Sequence, residues 1–287
     1  MPPTLVIARL TVQEASRRRL LLALLILTLI VVGFSAWGFH KITTVSRSNG
    51  TPLPAAEVAL ITSQLLIVVT FMFSGVLALS AAVVAGPLIS SEVESGLLLS
   101  MLARPLRRSE VVIGKWLGLG ILVAIYAAGS ALLEMAAVDW ATGYLPPHPF
   151  QLILYVGCEG LVLLSIGLLL STRLSGITGG VIALVAWLMA WIGGVVGNIG
   201  SGLQNSAVEN VGVISHLVLP SDGLWRGAIY ALEPDALLAT LRAAGTVGRT
   251  NPFSAADPPT AGYLTWVVVW FALILALAIW SFRRREI

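Results

Sequence analysis

Six long apolar stretches set the pattern of this chain, at residues 20–39, 60–88, 112–138, 150–171, 176–199 and 262–282. Each meets the requirement of about 20 mostly apolar residues for a helix that crosses the hydrocarbon layer. The pattern predicts an all-α polytopic membrane protein: one domain over residues 1–287, with six transmembrane helices. The first stretch follows Arg17, Arg18 and Arg19, as a signal peptide would. Its apolar run is longer than a signal core, and no clean small-residue cleavage site follows, so it reads as a retained span.

The connecting segments differ in character. Residues 1–19 form a basic N-terminal segment in which Val6, Ile7 and Leu10 share a helical arc, while Leu5 and Val12 fall outside it. An interfacial helix on the membrane and a plain basic tail both fit this weak stripe. Residues 89–114 read ISSEVESGLLLSMLARPLRRSEVVIG. Ser91 and Glu94 have the spacing of a capping box, which predicts a helix start there. Val93, Leu97 and Met101 recur every four residues with Leu98 and Leu102 beside them, giving one apolar face up to the break at Pro105. Ser109 is placed to cap the third span, with Glu110 in its first turn. Residues 200–261 are too long for a structureless loop. Ser221 as a cap and Pro234 as a first-turn residue predict two short helices there, with re-entry into the outer leaflet as one arrangement open to them.

The distribution of charge orients the chain. Of 17 Lys and Arg residues, twelve flank one side: Arg9, Arg17, Arg18, Arg19, Arg104, Arg107, Arg108, Lys115, Arg173, Arg283, Arg284 and Arg285. The five on the other side are Lys41, Arg47, Arg226, Arg242 and Arg249. The positive-inside rule then puts both termini, residues 89–114 and the fourth-to-fifth connection in the cytoplasm, and residues 200–261 outside. The membrane concerned is the cell membrane, most simply a bacterial plasma membrane. The composition agrees: 57% hydrophobic and 11% charged, with a mean hydropathy of +0.93, against about 25% charged in soluble domains. A net charge of only +3 argues against nucleic acid as a partner. The single cysteine, Cys158, excludes an internal disulfide. Three distant histidines with that lone cysteine give no spacing suited to a metal.

Candidate chemistry is sparse. Gly114–Lys115 is followed by Trp116, so no phosphate-binding P-loop is formed. None of His40, His148 or His216 begins a His-Glu-x-x-His motif, and no histidine lies in a predicted span to activate a serine. Two acids fall inside spans: Glu159 midway along the fourth, and Glu134 about one turn from the outer end of the third, with Asp139 at its edge. A carboxyl at such depth is costly and marks a candidate translocation path. For Glu159, a hydrogen-bonded acid between packed helices is an equally good reading. For Glu134 and Asp139, solvation at the interface is the simpler one. Gly176, Gly179, Gly180, Gly193, Gly194 and Gly197 crowd the fifth span and suit close helix packing within the chain more readily than a dimer seam. Trp187 and Trp191 share one face of it, toward lipid or a lumen.

The order of these features resembles the permease subunits of ATP-binding-cassette transporters of the ABC-2 type. Locally the resemblance rests on Glu92-x-Glu94-Ser95-Gly96-Leu97, then Leu102-x-Arg104-Pro105-Leu106-x-Arg108, then Gly114-Lys115. Leu97 stands where the family more often has Thr, and Ser95 before Gly96 is a second mild departure. Leu219-Pro220-Ser221-Asp222-Gly223-Leu224-Trp225-Arg226 resembles the Pro-x-Asp-x-Leu pattern of the subgroup that includes the permease serving nitrous oxide reductase maturation. The resemblance implies an exporter subunit that is not itself an enzyme and holds no cofactor. ATP and Mg would act in two partner ATPase subunits, and a second permease copy or a homologous permease would complete the complex. It also implies a coupling helix for the ATPase at residues 91–103. The coupling residues would be Ser91, Glu92, Glu94, Gly96, Leu97, Leu98, Met101, Leu102, Arg104, Pro105 and Arg108. The rival readings are an ion-coupled secondary transporter using Glu159, and a membrane anchor for an extracytoplasmic protein.

Overall fold

The computed structural model describes residues 2–16, 19–44, 51–94, 107–245 and 251–285. They form eleven helices among the described residues: α1 (Pro3–Ser16), α2 (Arg19–Thr43), α3 (Ala55–Ala85), α4 (Pro87–Glu94), α5 (Arg108–Thr142), α6 (Pro149–Ser171), α7 (Gly176–Gly202), α8 (Ser206–Val218), α9 (Ser221–Leu232), α10 (Asp235–Ala243) and α11 (Ala261–Arg283). Six stretches are long and apolar enough to cross a membrane: α2, α3 continued by α4, α5, α6, α7 and α11. The all-helical class and all six predicted spans are therefore found. The observed helices run past the predicted ends because a helix continues beyond the hydrocarbon for as long as its backbone bonds are made.

α6 is the central helix and α11 the most peripheral of the six. Between them, glycines set the closest approaches. A Cβ at Gly167 would lie 2.6 Å from Ala85 Cβ, and one at Gly180 would lie 2.8 Å from Ala82 O, so α3 is held against both α6 and α7. α1 lies across the start of α5, where Cβ atoms at Gly114 and Gly118 would meet Ile7 Cβ at 2.8 Å and Ala8 O at 2.6 Å. Ile7 is consequently buried in this contact, while Leu5, Val6 and Leu10 remain exposed. The arc of Val6, Ile7 and Leu10 is thus divided between a protein face and an apolar outer face.

Two helix starts differ from expectation. α4 begins at Pro87, and Ser91 lies inside it, its Oγ donating to Pro87 O at 2.6 Å. Proline suits a first helical position because its missing N–H is not needed there, so the helix resumes before Ser91 can cap it. α5 starts from Arg107, whose backbone N–H donates to Glu110 Oε2 at 2.8 Å, and Ser109 sits in the first turn. Residues 95–106, with most of the expected coupling helix, lie outside the described residues.

Arginines close helix C-termini at the end that carries both termini. Arg108 Nη1 donates to the carbonyls of Phe282, Arg283 and Arg285 at 2.9, 3.1 and 2.7 Å, at the end of α11. Arg285 Nη1 returns the arrangement by donating to Thr172 O at 2.7 Å, at the end of α6. The last carbonyls of a helix are unpaired and carry the negative end of its dipole, so cations there satisfy both needs. At the far end, Tyr144 Oη donates to Leu232 O at 2.6 Å, and the N–H of Ala255 donates to Glu233 Oε2 at 3.4 Å. Glu233 is fully buried, and burial pushes its carboxyl up to about 7 from 4.5.

A raised carboxyl pKa favours the folded state below the unfolded value, and that advantage is lost as the pH rises through the folded value. Melting of the detergent-purified protein is therefore expected to fall between about pH 4.5 and 7, and Glu233→Gln should flatten that slope. An unchanged slope in the variant would remove Glu233 as its source.

A hairpin socket at the candidate functional site

The segment between the fifth and sixth spans does not project as a loop. α8 runs back antiparallel along α7, the chain turns at Leu219–Pro220, and α9 leaves through the bundle interior. The glycines of α7 and α8 permit this. A Cβ at Gly193 would lie 2.6 Å from Ser215 Oγ, one at Gly197 would lie 2.6 Å from Gly212 Cα, and one at Gly200 would overlap Glu209 N. Gly180 and Gly176, nearer the basic end, pack on α3 and α4 instead. The stripe of small residues is thus a packing device within the chain over its whole length. α9 is enclosed: Leu224, Trp225, Ala228, Ile229, Ala231 and Leu232 are all buried. The sequence predicted α9 and α10 but missed α8. Its apolar residues do not form one clean stripe, because Val211, Val213, Ile214, Leu217 and Val218 are exposed on its outer faces.

A turn at this depth needs partners for its backbone, since lipid supplies none. One face of α11 provides them. Tyr263 Oη donates to Pro220 O at 2.8 Å, Trp266 Nε1 to Leu217 O at 3.2 Å and Trp270 Nε1 to Val218 O at 2.9 Å. Spacings of three, four and seven residues put these side chains on one side of a helix. Asp222, in the first turn of α9, ties the hairpin together. Its Oδ2 accepts from His216 Nε2 at 2.7 Å and from Arg226 Nε at 3.1 Å, and its side chain is almost fully enclosed. The carboxylate lies directly on Gly194, leaving no room for a Cβ there. Ser221, expected as a cap, is the first residue of α9, and its buried Oγ has no hydrogen-bond partner.

Beneath the socket lies Glu159, 1% exposed. Its Oε1 accepts from Ser74 Oγ at 2.7 Å and from Trp187 Nε1 at 2.9 Å, while its Oε2 has no partner. Both donors are neutral. Phe71, one turn above Ser74 on α3, sits among Trp187, Trp191, Trp225 and Phe253 with ring-centroid distances of 6.1, 5.1, 5.3 and 5.5 Å. Trp187 and Trp191 thus face the protein interior. Glu134 is also buried, against Thr70 and Phe73 of α3 and Leu152 and Val156 of α6, with the hydroxyl of Ser35 on α2 as its polar neighbour. Asp139 is exposed. Burial rather than interfacial solvation therefore describes Glu134.

The residues singled out for coupling fall into two groups. Glu92 Oε1 pairs with Lys115 Nζ at 2.6 Å, and Lys115 also donates to Leu88 O at 2.7 Å. The acid of the 89–114 segment and the Gly-Lys before the third span are thereby brought into contact, with α1 crossing at Gly114. Arg108 is engaged with the end of α11. Ser91 is exposed on α4, and Glu94 closes that helix. Gly96, Leu97, Leu98, Met101, Leu102, Arg104 and Pro105 lie outside the described residues. Sequence reasoning missed Ser74, His216, Tyr263, Trp266 and Trp270. The only available signal was the one-sided spacing of ring donors on the last span.

Comparison with known proteins adds two findings. Residues 5–287 match the model of the family described as ABC-2 family transporter protein. The chain is 29% identical, over the full length of both proteins, to a protein of Pseudomonas aeruginosa (strain PAO1) named as a probable ABC transporter permease protein NosY.

The ring donors give a direct test of the socket. Trp270→Phe keeps an aromatic side chain, smaller than the indole, but leaves Val218 O unpaired, which costs about 1–3 kcal/mol for a buried group. Thermal unfolding should show Trp270→Phe clearly less stable than wild type, with Trp266→Phe, at an exposed and longer bond, less affected. Equal stability of all three proteins would contradict the assignment.

Proposed function

We propose a function on the premise that this chain belongs to the ABC-2 transporter family, whose model it matches over nearly its whole length. It is the multi-pass membrane permease subunit of an ABC transporter, and it exports cargo by conformational change driven from separate ATPase subunits. That full-length match is the observation that carries the reading. ATP and Mg act in two copies of the ATPase, and a second permease, identical or homologous, completes the complex. The charge asymmetry supports termini, α4 and residues 95–106 in the cytoplasm, with α10 outside.

Coupling follows from this arrangement. The apolar positions Leu97, Leu98, Met101 and Leu102 dock in the ATPase groove, since such a cluster requires burial, worth about 25 cal/mol per Å² of apolar area. Movement of that segment reaches the bundle through α4, which continues the second span and is pinned to the third by the Glu92–Lys115 pair. Loss of one partner of an enclosed ion pair is strongly unfavourable, so the two spans move with the segment as one body.

The other readings are weaker. A secondary transporter would use Glu159 without an ATPase, against the family match. An anchor for an external protein would present its long outer segment to water, yet α9 is buried in the bundle and α8 packs along α7 with Val211, Ile214 and Val218 exposed as an apolar outer face.

Two measurements test the proposal. In a Cys158→Ser background, a cysteine at Thr240 should react with a membrane-impermeant maleimide in intact cells and one at Ser175 should not; the reverse labelling would invert the topology. Leu98→Asp and Met101→Asp should each reduce copurification of the ATPase at least tenfold while the permease stays monodisperse. Wild-type recovery of the ATPase with both variants would eliminate docking through this segment.

A further inference from the structure

Two of the buried carboxyl groups differ in their partners. Asp222 is answered by Arg226 and His216. Glu159 is not: its two donors are a hydroxyl and an indole, and its second oxygen is unpartnered in a side chain 1% exposed. A carboxyl buried at mid-span without a counter-ion is costly, and such groups mark ligand or ion pathways. The surroundings specify the class of ligand further. Trp187, whose ring edge donates to Glu159, continues into the aromatic group of Trp191, Trp225 and Phe253 around Phe71. Aromatic faces attract cations, most strongly when desolvated.

We propose that Glu159 and the aromatic group of Trp187, Trp191, Trp225 and Phe253 form a cargo site for a lipophilic organic cation, with Phe71 as the side chain that yields to it. The carboxylate supplies the counter-charge and the rings enclose the apolar substituents. Phe71 stands at the centre of the rings and is only partly buried, so it is the element that must rotate for a ligand to enter. This inference rests on the permease reading, because a site in the bundle interior serves cargo only if the bundle opens.

The test uses the purified full-length permease in nanodiscs, without the ATPase, so its outcome is separate from the ATPase-docking experiment. Tetraphenylphosphonium is titrated by calorimetry against empty nanodiscs as blank, and tetraphenylborate, of nearly the same shape and opposite charge, is titrated in a separate experiment. Saturable binding of the cation is expected, weakened at least tenfold by Glu159→Gln and within twofold of wild type in Glu209→Gln, an exposed acid of α8, and tetraphenylborate should show no saturable binding. If Glu159→Gln is not monodisperse, Trp191→Leu carries the same tenfold expectation at a ring that makes no hydrogen bond to the carboxylate. No saturable binding to wild type, wild-type affinity in the folded variant, or equally tight saturable binding of the anion would each overturn the proposal.

Discussion

A polypeptide that reverses direction inside a bilayer must bring its own hydrogen-bond partners. This requirement governs the half of the molecule that holds α8 and α9. The carbonyls of Leu217 and Val218 at the α8–α9 turn would be left unpaired in a lipid environment, at several kcal/mol apiece, and that of Pro220 would keep only a long 3.4 Å bond from the N–H of Leu224. Tyr263, Trp266 and Trp270 remove that cost from a single face of α11. The last span, otherwise the most peripheral, is thereby tied to the buried hairpin.

The remaining features of the socket follow from that turn. α8 can run beside α7 only where Gly193, Gly197, Gly200 and Gly212 bring the two backbones close. Asp222 can be buried because the N-terminus of α9 favours its charge and because Arg226 and His216 reach it. With the hairpin in place, α9 presents Trp225 to Phe71, and the aromatic group above Glu159 is complete. At the opposite end the same rule is met with arginines. Arg108 and Arg285 close the C-termini of α11 and α6, so part of the basic bias of this end is helix capping.

The spans were legible from sequence because each is decided locally, by some twenty consecutive apolar residues. The α9 and α10 helices were legible for a similar reason, through Pro234 and the residues that follow Pro220. α8 was not, because its exposed residues are as apolar as its buried ones: Val218 faces outward while Gly212 is enclosed. Helical periodicity disappears when the surrounding solvent is lipid. Glu159 was recognisable as a candidate from its depth alone, but its donors Ser74 and Trp187 come from two other helices. Glu92 and Lys115 likewise stood in one motif without any sign that they touch; their contact depends on how α4 continues α3 past Gly86.

The account depends most on the placement of the α8–α9 turn below the membrane surface. A nitroxide attached at Val218, which faces outward from that turn, measures this by power-saturation electron paramagnetic resonance in nanodiscs. The label should be more accessible to oxygen, which dissolves in the acyl chains, than to a water-soluble nickel chelate, and a label at Thr240 on α10 should show the opposite preference. A label at Val218 as open to the nickel chelate as one at Thr240 would place the turn in water and contradict the socket.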